Sequence, residues 1–383
     1  MRTLRLFVIA IVAVVSIAVL GQQFHPLGLS NVLEGPSPNY YARMHVEDNT
    51  LYVCTRQGLY AKDLSNDGSQ WQLAGFEGIP LINYARCGND ILALRHNIDS
   101  CFLLLSHDGG RTYSDITPPL FIRNDHDPRV KHVLTRLVRH PDDPSTLLVL
   151  SNLYGLYRST DFGQTWSRLA GFSLGGLGYH PARPEIIYQS GENDLMEATL
   201  SISYDSGQTW NYFQPTSEGL YAGDIAFNPS DPDKWIYGDY HGLSTSDDNG
   251  HTWSWVNINH YGTWWSCLTY DCANSDIVYA ASSRHGIIYS IDGGNSWSQP
   301  LVIDSEGKEL WGIQQYGDRL LVYKGNEVYE ISKADLIPHN AVQNLESDDA
   351  EGSSVAYDLQ GRRTSLQPKG IYIKNGKKYV SIP

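Results

Sequence analysis

Carboxylates, amides and aromatic rings recur at equivalent places along this 383-residue chain. Asp108, Asp161, Asp205, Asp248 and Asp292 each stand two residues after a Ser and four before a Thr or Ser. At that spacing the carboxylate and hydroxyls hydrogen-bond the backbone of their own turn, as in Asx and ST turns, so these aspartates are read as structural. A second set precedes glycines: Thr55-Arg56-Gln57 before Gly58, Asn152-Leu153-Tyr154 before Gly155, Asp239-Tyr240-His241 before Gly242, and Ser283-Arg284-His285 before Gly286. A less clearly aligned turn offers Glu192, Asn193 and Asp194. Segments joining these units add Tyr221, Tyr261, Trp264, Trp265 and Trp311. Rings that stack on sugar C–H faces, beside carboxylates that accept hydroxyl protons, make up a carbohydrate site. Arg56, Asn152, Tyr221, Tyr240, His241, Trp264, Trp265, Arg284, His285 and Trp311 are therefore assigned to ligand contact.

Other chemistries find little footing. GFSLG (171–175) has the G-x-S-x-G letters but no helical pattern after it to make an elbow, and no phosphate loop occurs, so no nucleotide or other cofactor is expected. Cys267 and Cys272 have no His close by in sequence, and His107 and His251 sit inside the Asp turns, so no metal site is assigned. The odd count, Cys54, Cys87, Cys101, Cys267 and Cys272, does not form a disulfide scaffold. Net charge is −14. With +2 on the first 21 residues and +5 on residues 354–383, residues 22–353 carry −21. Such a body does not collect phosphates, which excludes nucleic acid, and it repels an anionic sugar unless arginines gather locally.

The elements that position these residues are set by a repeat. SHDGGRTY (106–113), STDFGQTW (159–166), SYDSGQTW (203–210), SDDNGHTW (246–253) and SIDGGNSW (290–297) are copies, and LSNDGSQW (64–71) is a worn one with Asn66 in the Asp position. Their closing aromatics are 42, 53, 44, 43 and 44 residues apart. Before each box lie short apolar strands divided by Gly, with prolines at strand ends in HPDDP (140–144), HPARP (180–184) and NPSDP (228–232). Strands of this length at a period of 40–50 residues predict an all-β propeller of four-stranded blades. Units start near residues 40, 81, 132, 174, 219, 264 and 309, which makes seven, with six or eight also allowed, and 119–131 an insertion.

The octapeptide resembles the Asp-box, or bacterial neuraminidase, repeat of β-propellers. That resemblance implies that the box caps the outer hairpin of each blade and that ligands bind at the opposite end, on the glycine-closed turns and the blade connections. It also implies two activities. Sialidases carry an Arg-Ile-Pro motif that is absent here. Xyloglucan-active endoglucanases place catalytic aspartates in D-x-G-G turns; GDYHG (238–242) resembles one, with His241 in place of a glycine, making Asp239 a candidate catalytic residue with Asp194 or Glu192 as its partner. Sortilin-type receptor domains and photosystem assembly factors share the repeat style without catalysis. The expectation is a propeller that binds a neutral glycan or a surface protein, with a glycoside hydrolase as the alternative.

The two ends of the chain point to export. Arg2 and Arg5 precede an apolar stretch from Leu6 to Leu20, which resembles a secretory signal cleaved after Gly21, leaving no transmembrane segment. Residues 22–338 form the propeller, 339–354 an acidic linker and 355–383 a small β segment. VAYDLQGRRTSLQPKGIYIKNGKKYVSIP (355–383) resembles the C-terminal sorting tail of Bacteroidetes proteins, which implies contact with export machinery.

Overall fold

The computed structural model describes residues 24–33, 43–97, 100–121, 134–151, 155–171, 175–192, 198–215, 223–256, 258, 265–282, 286–303 and 310–337, with strands between 356 and 381. Two compact units, Met1–Ile331 and Ser332–Pro383, divide the chain. The second holds one helical turn, Lys333–Leu336, and an antiparallel sheet of Ala356–Tyr357, Arg363–Thr364, Gly370–Lys374 and Lys377–Ser381.

The first unit is a β-propeller of seven antiparallel blades whose innermost strands are Met44–Glu47, Leu81–Cys87, Leu134–Arg139, Leu177–His180, Ile225–Phe227, Trp265–Tyr270 and Leu310–Tyr316. These starts follow the repeat count. In blade six the fourth strand is reduced to the bridge Ile287–Leu301. Blade seven takes its fourth strand from the other end of the sequence: His25–Pro26 pairs with Glu330 and Tyr329. Glu327 secures that closure, accepting at Oε1 from Leu29 N–H (2.9 Å) and at Oε2 from the Ser30 hydroxyl (2.6 Å).

The core lies in the seams between blades. Leu29, Met44, Leu51, Trp71, Leu321 and Tyr323 fill the seam of blades seven and one, and Ile186, Tyr188, Leu200, Ile202, Trp235 and Tyr237 that of blades four and five. Each box Trp packs into the seam with the preceding blade, Trp166, Trp210 and Trp253 among them. Seam packing explains the short apolar strands, because both faces of each sheet are covered by neighbours.

Candidate functional site

Register separates the two ends of the ring. In blade one Met44 pairs with Val53 and Thr55 with Gly58, so the start of the innermost strand and the glycine-closed turn share one end. Glu47 pairs with Thr50 and Thr50 with Asp63, which places the box hairpin at the other end. The remaining box-bearing blades repeat the arrangement, and the ends are called here the turn end and the box end.

At the box end one hydrogen-bond set recurs. Ser159 Oγ donates to Asp161 Oδ1 (2.7 Å) and accepts from Gly163 N–H (2.8 Å), while Thr165 gives its N–H and hydroxyl to the two Asp161 oxygens (2.8 and 2.6 Å). Trp166 Nε1 donates to Gly163 O (2.9 Å). The sets at Asp108, Asp205, Asp248 and Asp292 repeat the Ser, Gly and Thr or Ser contacts. Bonds from Thr209 hold the Asp205 carboxyl down at about 2, and bonds from Thr112 do the same for Asp108. The glycine is required: Gly250 has φ 82°, and a Cβ there would lie 2.4 Å from the Trp235 ring.

Down the axis runs a cavity of about 440 Å3 lined by the innermost strands of all seven blades. Among the described residues its wall carries four arginines, Arg43, Arg86, Arg136 and Arg139, beside Glu47 and Asp224. The two ends of the channel use them differently. At the box end Arg86 Nε donates to Gly88 O (2.8 Å), its Nη1 hydrogen-bonds the Tyr52 hydroxyl and lies 3.8 Å from Glu47, and Arg139 Nη1 donates to Arg86 O (2.8 Å). Half-way, His45 of blade one meets Asn83 of blade two (3.4 Å), whose Nδ2 donates to Leu137 O of blade three (3.0 Å). Burial, then the Arg43 charge, lowers the His45 pKa to about 4, so the ring is neutral. At the turn end Arg43 lies 4.0 Å from Asp224 Oδ2, while Asp224 Oδ1 accepts from the Tyr188 hydroxyl and from Ile225 N–H. Arg136, 7% exposed, donates from Nε to Gly175 O (3.2 Å).

The residues assigned from sequence are placed as follows. Asp239 is 0% exposed: its Oδ1 accepts from His241 N–H (2.7 Å) and Gly242 N–H (3.1 Å), and its backbone carbonyl accepts from Trp265 N–H (3.1 Å). It organises its own turn. Tyr240 and His241 are half-buried beside it, ring centroids 5.7 Å apart, and Arg56 is exposed. Trp265 is wholly buried with Leu243, Ile258, Ala280 and Ile288, which makes it a seam residue. Trp311 lies on the innermost strand of blade seven. Asp194, Asn152, Tyr221, Trp264, Arg284 and His285 lie outside the described residues. The channel arginines were missed because Arg86, Arg136 and Arg139 sit in short apolar strands and Arg43 directly before one; the signal that finds them is a charged residue in or next to the first strand of a unit, whose edge faces the axis.

The family model of the BNR/Asp-box repeat matches residues 157–168. No curated protein matches the sequence. Among solved structures, the GH74 xyloglucanase from Xanthomonas campestris superposes with a TM-score of 0.59 at 18% identity, over 82% of this chain and 54% of that one. The GH74 enzyme of Niastella koreensis gives 0.58 at 17%, over 92% and 58%. YCF48 bound to D1 peptide gives 0.54 at 15%, over 84% and 98%. The chain thus spans little more than half the length of the two GH74 proteins and nearly all of YCF48. At these identities the likeness is one of fold.

Proposed function

We propose that this chain is an extracytoplasmic binding propeller that takes a polypeptide segment on its turn end, over the channel mouth, without hydrolysing it. The carrying observation is the burial of Asp239 with its Oδ1 engaged by its own turn. An inverting glycosidase needs an acid and a base about 6.5–9.5 Å apart and open to substrate, and a sealed carboxylate does not serve as either. The mouth offers both charge signs, Arg43 and Arg136 beside Asp224, which suits the mixed polar groups of a peptide. Near-complete overlap with peptide-bound YCF48, against half of a xyloglucanase, supports the same reading. Extracytoplasmic placement rests on the apolar segment Leu6–Leu20: cleavage after Gly21 spares buried Phe24 and the closing strand at His25. Among the described residues no helix is long and apolar enough to cross a membrane.

The half-exposed rings of Tyr240 and His241 favour a neutral glycan as the second reading. A peptide array, a glycan array and a reducing-end assay on neutral plant and host glycans separate the cases. The expected result is peptide binding with no new reducing ends. Glycan binding lost in Tyr240→Ala supports the second reading, and reducing ends lost in both Asp239→Asn and Asp194→Asn establish a hydrolase. For the tail, deletion of residues 355–383 should hold the protein in the periplasm, and unchanged export removes the sorting role.

A further inference from the structure

We propose that the turn at His180 is an acid-released clasp between blades four and five, holding the box end of their seam shut at neutral pH and letting go when the imidazole is protonated. The contacts fix the tautomer. Nδ1 accepts from the Ala182 and Arg183 N–H groups of its own turn (3.1 Å each), and Nε2 reaches Pro232 O of blade five (2.9 Å). A carbonyl only accepts and an amide N–H only donates, so the single proton of the ring sits on Nε2. Arg183, on the turn so held, completes the clasp by donating from Nη1 to Asp233 Oδ1 (2.6 Å) and Asn249 Oδ1 (3.0 Å) of blade five. His180 is 1% exposed, with the Phe227 and Trp235 rings of blade five 4.5 and 5.6 Å from its own.

The same slot recurs along the ring, and blade five supplies the contrast. Asn228 accepts at Oδ1 from Ser230 and Asp231 N–H (2.9 Å each) and donates from Nδ2 to Ser275 O of blade six (3.2 Å). An amide therefore makes both sets of bonds without taking up a proton, whereas the imidazole loses its two acceptor contacts once Nδ1 carries hydrogen. His140 of blade three and Asp271 of blade six accept from their own turns in the same way. His180 joins a titrating acceptor to a bond across the seam. Burial lowers its pKa, with the Arg183 charge acting the same way and the Pro232 bond and Glu185 acting against. On the blade-five side Asp231 and Asp233 are paired with Lys234 (3.5 Å) and Arg183 (2.6 Å). The closed clasp thus has the lower affinity for the proton, and opening is favoured as pH falls below the unfolded value of about 6.5.

Hydrogen exchange of the full chain between pH 7.5 and 5.5, expressed as protection relative to the free-peptide rate at each pH, tests this. Protection at the Ala182 and Arg183 amides should fall by up to about tenfold, the most that one proton with an open-state pKa of about 6.5 gives over this range. The Ser230 and Asp231 amides, held by Asn228, should stay level in the same sample. His180→Asn, which copies the blade-five slot, should keep both amides protected and remove the pH dependence. Should that variant not fold, nitrogen NMR of the wild-type ring decides: the expected ring is the Nε2–H tautomer at pH 7.5, titrating below the free-histidine value. Level protection in wild type, an equal fall in folded His180→Asn, or a ring carrying Nδ1–H at pH 7.5 overturns the proposal. Global unfolding in this range is shared with His45 of the channel, so the readout is local. None of these residues lies at the turn end, so the peptide array and this test fail separately.

Discussion

The box end and the turn end of one ring are built on opposite principles. Five boxes repeat the same Ser, Asp, Gly and Thr or Ser contacts, so the box end is five solutions to one problem: holding a two-strand hairpin shut over a seam. The turn end repeats only its glycines. The residue three before each glycine is Thr55, Asn152, Asp239 or Ser283, and the channel beneath takes arginines from blades one and three but an aspartate from the edge of blade five. Where the ring repeats, the carboxylates are architecture; where it varies, the side chains are free to recognise something. The aspartates that most resemble acid/base groups belong to the repeating end, and Asp239 is drawn into the same turn-holding role.

The largest effect that would break this contrast comes from the seams, which should be indifferent to end. Trp235 lies at the box end of blade five and Trp265 at the turn end of blade six, both 0% exposed. Trp235→Ala and Trp265→Ala should each cost about 3–5 kcal/mol in urea unfolding. Loss of a ligand with unchanged stability in Trp265→Ala would move that residue from seam to recognition surface.

The second effect belongs to the channel. The folded His45 pKa is near 4 and its unfolded value about 6.5, so between them the unfolded chain binds the extra proton and stability falls as pH is lowered from 6.5 to 4. The loss is at most about 3 kcal/mol, the size of the shift between the two values. Unfolding measured across that window should flatten in His45→Gln; an unchanged slope would assign it elsewhere. Third, Ser203→Ala removes the hydroxyl that accepts from Gly207 N–H, leaving a buried donor unmade at a cost of about 1–3 kcal/mol. Faster hydrogen exchange at Gly207 alone would show the damage is local to one box.

How much of this was legible in the sequence follows the same division. Blade starts and box roles could be read because a local octapeptide writes its own hydrogen bonds. Even the worn copy holds, Asn66 Oδ1 accepting from Gly68 N–H (3.0 Å), although Trp71 there donates to Leu27 O of the closing segment instead of its own glycine. Ring closure by His25–Pro26 was not legible, because a two-residue strand carries no pattern and its partner lies some 300 residues away. Trp265 was misplaced for a related reason: an aromatic in a connection looks exposed until the neighbouring seam is known.

The smallest effect tests the repeating end directly. The Asp108 and Asp205 carboxyls titrate near 2 in the fold because Thr112 and Thr209 donate to their charged forms, while in the unfolded chain they return to about 3.9. A depressed folded pKa contributes stability that is complete above the unfolded value and is lost as pH falls from about 4 towards 2. These groups are solvent-exposed, so each contributes little, and water takes up much of what the threonine hydroxyl releases. The acid limb below pH 4 should therefore be shallow and shared, its slope falling in equal small steps as Thr112→Val and Thr209→Val are combined. The limb between 6.5 and 4 should stay untouched in the same variants. If one threonine removed most of the low-pH slope, the boxes would not be equivalent, and the contrast between a repeating end and a varied one would fail at the end where it is strongest.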